Sequence, residues 1–137
     1  MYKFLDHTAD IKIKVSSNNL KNCFKETVLA LNEVVVGKKI RNFKNYKISK
    51  FKISGKDIDA LLYNFIEEFV YLLDAKNFLA CKIKNLSLDR DFVLYVELIG
   101  VKASDYVFSN KIKAPTYNEM KISIKKSKCD FEFVLDL

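Results

Sequence analysis

Apolar and polar positions alternate cleanly at Ile11, Ile13 and Val15 against Lys12, Lys14 and Ser16, which predicts a strand with one wet face. Ser16 to Asn19 then offer N-cap residues. Leu20, Phe24, Val28, Leu31 and Val35 recur at spacings of three and four, so an amphipathic helix is expected from about 19 to 35, ended by Gly37. A basic connection, Lys38 to Lys47, leads to a strand carrying Tyr46, Ile48, Phe51 and Ile53. Its alternation slips at Lys50, as at a bulge or a sheet edge. Gly55 breaks that strand and Asp57 caps a second helix, along which Ile58, Leu61, Leu62, Phe65, Phe69, Leu72 and Leu73 keep helical spacing. Phe65 and Phe69 are expected to face a sheet, and Glu67, Glu68 and Lys76 to face water. The segments around Phe78 to Leu86, Phe92 to Ile99, Met120 to Ile124 and Cys129 to Leu135 are rich in strand-forming residues. Two helices among many strands predict an α+β fold, with the helices covering one face of a mainly antiparallel sheet.

The length of 137 residues suits a single domain, 1–137, large enough to bury a core without metal or disulfide. Seven Tyr, eleven Phe, three Gly and one Pro exclude a disordered or collagen-like chain. Cys23, Cys81 and Cys129 are an odd set without a C-x-x-C pair, which fits free thiols in a reducing compartment and so a cytoplasmic location. The charged N-terminal ten residues lack the apolar core of a signal peptide, and no apolar run approaches bilayer length, so no membrane association is expected. The excess of 24 Lys and Arg over 17 Asp and Glu, a net +7, suits an anionic partner such as RNA. Charge kept for solubility in a lysine-rich chain accounts for it equally simply.

Most catalytic constellations are absent from the sequence. His7 is the only imidazole and has no nucleophile motif around it; Gly37, Gly55 and Gly100 are too isolated to form a phosphate-binding loop; and one His with three scattered Cys lacks zinc-ligand spacing. Polar density remains at three places. In Asp6-His7-Thr8-Ala9-Asp10 two carboxylates four residues apart offer hard oxygen ligands for Ca²⁺ or Mg²⁺. Turn bonds from Asp6 and Thr8, with His7 an ordinary edge residue, explain the run more simply. Ile112 to Asn118 holds the only proline beside Lys113, Thr116 and Tyr117, and suits either a binding loop or a strand-edge turn. At the end, Phe133-Val134-Leu135-Asp136-Leu137 predicts a C-terminus held in the sheet, with its oxygens available as ligands.

Together these three places resemble the archease family over essentially the whole chain. The marks are Phe4-Leu5-Asp6-His7-Thr8-Ala9-Asp10-Ile11, Ile58-Asp59-Ala60-Leu61-Leu62, Leu72-Leu73-Asp74, Ile112-Lys113-Ala114 with Thr116-Tyr117, and Leu135-Asp136-Leu137. Pro115 and Asn118 depart from the aliphatic residue and histidine usual in that family. The resemblance implies a protein that is not itself an enzyme but activates the tRNA-splicing RNA ligase of the RtcB family, promoting guanylylation and multiple turnover. It implies a divalent metal ion, Ca, Mg or Mn, on Asp10, Asp136 and the main chain of Leu137. Asp6, His7, Lys113, Thr116 and Tyr117 would stand close by, and contact with RNA would be indirect. A small basic RNA-binding module without ligase activation is the alternative.

Overall fold

The computed structural model describes residues 1–6 and 10–137. Seven strands and two long helices follow the order β1 (Tyr2–Leu5), β2 (Ile11–Ser17), α1 (Leu20–Val36), β3 (Lys47–Ser54), α2 (Ile58–Lys76), β4 (Phe78–Leu88), β5 (Val93–Lys102), β6 (Ala114–Lys125) and β7 (Lys128–Asp136). Both helices begin where the sequence supplies a cap. Asn19 accepts from the Asn22 N–H at 2.8 Å and Asp57 from the Ala60 N–H at 2.8 Å, satisfying N–H groups that the first turn leaves orphaned. Gly37 closes α1 at φ 86°, and Asn77 closes α2 at φ 53°, both left-handed.

The fold is α+β and every strand pairing is antiparallel, but the strands divide into two sheets rather than one. Their orders are β1-β2-β7-β6 and β3-β5-β4. Each helix touches both: α1 packs on β1, β2, β7 and β4, and α2 on β6, β3 and β4. A chain of rings joins the layers, from Phe51 of β3 to Phe65 of α2 (6.3 Å between centroids), to Phe24 of α1 (5.1 Å), to Phe131 of β7 (5.2 Å). Phe24, Phe65 and Phe131 are almost fully buried, so the helices fasten one sheet to the other through aromatic contact. Phe65 and Phe69 face inward and Glu67 outward as the spacing predicts. Glu68 is only half exposed, and this burial raises its carboxyl above the ordinary range.

The slip at Lys50 marks an edge strand, since β3 pairs without interruption from Lys47 with Gly100 to Ser54 with Val93. The irregularities lie in β4, at Cys81 and Lys84. The cysteines are free and buried. Burial pushes the Cys81 thiol up to about 11 and that of Cys129 to about 12. Among the described residues no helix is long and apolar enough to cross a membrane.

Candidate functional site at the Asp10 and Asp136 end

The first and last strands of the motif run side by side. β2 pairs with β7 from Ser17 with Cys129 to Ile11 with Leu135, so Asp10 and Asp136 each lie one residue beyond the last pair of this ladder. Ile13, Val15, Phe131, Phe133 and Leu135 point into the core. The two-residue period turns Asp136 to the other, exposed face, whereas Asp10, a bend residue just before β2, borders the cleft at the end of α1. On its far side Asp136 pairs with Ala114, and its carbonyl accepts the Lys113 N–H at 2.8 Å. Leu137 is half buried against the core, so the chain end is tied down as the apolar terminal strand implies.

Asp6 and Asp10 line a cleft of about 470 Å³ with Phe4, Ile11, Glu33 and Asn110. Glu33 and Asn110 are not marked by any sequence motif. They arrive through the C-terminal turn of α1, whose free carbonyls are taken up by the segment before β6. Asn110 Nδ2 donates to Val34 O at 3.0 Å, the Ser109 N–H to Val35 O at 2.7 Å, and Ser109 Oγ to Val36 O at 3.1 Å. Glu33 accepts the Tyr2 hydroxyl at 2.7 Å. Burial, and then this carboxylate, hold the Tyr2 phenol well above its usual pKa. The cleft thus gathers three carboxylates at the negative end of a helix dipole, a place that favours cations.

The donor chemistry here is hard oxygen, which fits a calcium-like or magnesium-like ion rather than zinc. Among the described residues no three His, Cys, Asp or Glu side chains stand together closely enough to hold a metal. His7, the remaining acidic-motif candidate, lies outside the described residues.

Of the residues from the Lys113 segment, Lys113 is exposed beside Asp136, and Ala114, Pro115 and Thr116 are strand residues paired with Asp136, Leu135 and Val134. The segment is neither a free loop nor a turn. After Thr116 the pairing resumes only at Lys121 with Glu132, so residues 117–120 bulge from the ladder, with Glu119 at φ 63°. Thr116 Oγ1 opens the bulge by accepting the Asn118 N–H at 3.1 Å, and Glu119 reaches Lys12 at 3.3 Å. This turns Tyr117 away from the two aspartates. It stacks on Tyr63 of α2, with ring centroids 4.3 Å apart and planes 6° apart. Desolvation, followed by Tyr63, Asp57, Glu67 and Asp59, raises its phenol pKa.

A family model for the Archease protein family matches residues 2–137. Protein archease of Pyrococcus furiosus is 32% identical over 125 residues, covering 88% of this chain and 87% of that one. Protein archease of Sulfolobus acidocaldarius is 32% identical over 141 residues, covering 99% and 98%. Among solved structures, protein 1598 of Methanobacterium thermoautotrophicum superposes with a TM-score of 0.72 at 21% identity, covering 99% of this chain and 98% of that one. A Thermotoga maritima protein described as an archease and possible chaperone superposes with a TM-score of 0.61 at 21% identity, covering 100% and 98%.

Proposed function

The chain belongs to the archease family, and from that premise we propose that it activates an RNA ligase of the RtcB type, promoting guanylylation and multiple turnover, and catalyses nothing itself. The observation that carries this reading is the pairing of β2 with β7, whose last pair, Ile11 with Leu135, is followed directly by Asp10 and Asp136, with Leu137 packed on the core. Two carboxylates from opposite ends of the sequence thus flank one end of the four-stranded sheet, and Asp10 shares its cleft with Asp6 and Glu33. The Thermotoga relative's description as a possible chaperone agrees with action on a partner protein.

In this reading Asp10, Asp136 and the main chain of Leu137 would hold a divalent ion, which supplies positive charge where ligase, nucleotide and metal meet. The chain's own residues do the rest. Lys113 N–H fixes the Asp136 carbonyl, the core holds Leu137, and the β2–β7 ladder holds together the strand ends next to the two aspartates. The tip is thereby presented as a rigid acidic surface to a metal-rich partner site. The free buried thiols support a cytoplasmic setting.

The test is multiple-turnover ligation by a cognate ligase with guanosine triphosphate and divalent metal. Added protein should raise turnover at equal or smaller amounts than the ligase. Unchanged turnover across metals and nucleotides would refute the reading.

A further inference from the structure

The net charge of +7 is not spread over the molecule. Eight of the 24 Lys and Arg, and none of the 17 Asp and Glu, lie between Glu33 and Asp57, so the rest of the chain carries a net charge of −1. Lys38, Lys39, Arg41, Lys44, Lys47, Lys50, Lys52 and Lys56 occupy the connection after α1, the edge strand β3 and the turn beyond it. Spread along one connection and one strand edge, this block is more than a solubility excess.

Lys39 lies over the Tyr2 ring of β1, while the register shows what Lys50 and Lys52 border. On the outer side of the three-stranded sheet, directly paired residues form three rows across β3, β5 and β4: Ile48, Ile99 and Lys82; Lys50, Glu97 and Asn85; Lys52, Tyr95 and Ser87. The last two rows border a hollow of about 550 Å³, lined by Lys50, Lys52, Asn85, Ser87, Tyr95 and Glu97. Tyr95 is 46% exposed in that hollow. Tyr46, 58% exposed, extends the surface toward the connection, and Lys82 lies 5.9 Å over the Phe43 ring beside it. Glu97, the one carboxylate in these three rows, accepts from Asn85 Nδ2 at 3.0 Å and pairs with Lys50 at 3.5 Å. Those contacts, with Lys84 nearby, compensate its charge and leave Lys52 as the cation paired beside Tyr95.

Exposed aromatic rings among lysines on an open sheet match the needs of an unpaired strand, whose bases stack while its phosphates meet cations. We propose that the outer face of β3-β5-β4 binds single-stranded RNA. A base stacks on Tyr95, phosphates lie along Lys52 and the end of the basic connection next to Tyr46, and the neutral Asn85 and Ser87 groups beside the ring meet ribose hydroxyls or base edges. RNA then touches this chain directly, where the family resemblance implies indirect contact. The proposal stands on this face alone and is independent of the acidic end.

The experiment is fluorescence anisotropy with a labelled single-stranded RNA of about 12 nucleotides. The full chain should bind it, with affinity falling steeply as salt rises. Tyr95→Ala should weaken binding about tenfold while Tyr95→Phe keeps it. Replacing Lys52 with Ala should flatten the slope of log affinity against log salt by about 0.7. Asp136→Asn should bind like wild type. Circular dichroism of each variant should stay native, since the Tyr95 and Lys52 side chains lie on the outer face and Asp136 is exposed. Absent binding, a Tyr95→Ala affinity equal to wild type, or equal or tighter binding to the matching DNA strand, duplex RNA or anionic vesicles would overturn the proposal.

Discussion

The Asp10 and Asp136 end of the four-stranded sheet and the outer face of the three-stranded sheet are opposite in both charge and construction. The acidic end is assembled from distant parts of the chain: residue 10, residue 136, and a cleft completed from the end of α1. The basic face is built around one contiguous stretch, 34–56, laid against two further strands. The difference shows that a whole-chain charge is a poor guide to where a basic protein works. The region that carries the family's marks is acidic, and a total of +7 conceals it. One region depends on long-range register, whereas the other depends mainly on local composition.

The sharpest way to break both at once is to remove what joins the two sheets. Phe65→Ala opens a cavity in the ring chain linking Phe51 to Phe131 and should cost about 3–5 kcal/mol, read from chemical denaturation. A loss under about 1 kcal/mol would show that the helices do not couple the sheets. A smaller effect should come from Asn32, which is 4% exposed on α1 and donates to Ala80 O of β4 at 2.8 Å. Asn32→Ala leaves that carbonyl without its partner and should cost about 1–3 kcal/mol. The α1 contact with the basic sheet should loosen more than its contact with β2, a contrast that hydrogen exchange in β4 against β2 would resolve.

The thiols set a further contrast in pH. Cys81, in β4, and Cys129, in β7, have folded pKa values raised by burial to about 11 and about 12, so the folded state holds their protons more tightly than the unfolded state does. Their contribution is fully present below the unfolded value near 9 and is lost as pH rises from there toward 11 or 12. Denaturation midpoints should fall above about pH 9, and Ser substitution at Cys81 should reduce that fall. The smallest structural effect belongs to Asp136→Asn. Its side chain is exposed, so in metal-free buffer stability should change by about 0.5 kcal/mol or less.

Much of the fold is legible because local and long-range signals agree. The alternation at Ile11 to Val15, the caps Asn19 and Asp57, and the stop at Gly37 each act within a few residues. β1 is not legible in the same way, since it spans only four residues, of which Lys3 and Phe4 are exposed, and it exists by pairing with β2. The division into two sheets is likewise invisible to periodicity, which reports which face of a strand is buried and not which neighbour it finds. At the candidate site, Asp10 and Asp136 stand out in the sequence, but Glu33 does not, because a helix end and the Tyr2 hydroxyl bring it to the cleft. Tyr117 is marked in the sequence but placed elsewhere: the four-residue bulge after Thr116 delivers it to Tyr63.

The most direct test of the account is ligase turnover with wild type and Asp136→Asn side by side, with melting temperatures measured with and without calcium or magnesium. The account predicts that wild type stimulates turnover and is stabilised by the ion, through binding to the folded state alone. The variant should lose both effects while keeping a native circular-dichroism spectrum. A variant that stimulates the ligase like wild type and keeps the metal-induced shift would contradict the assignment of the terminal carboxylate.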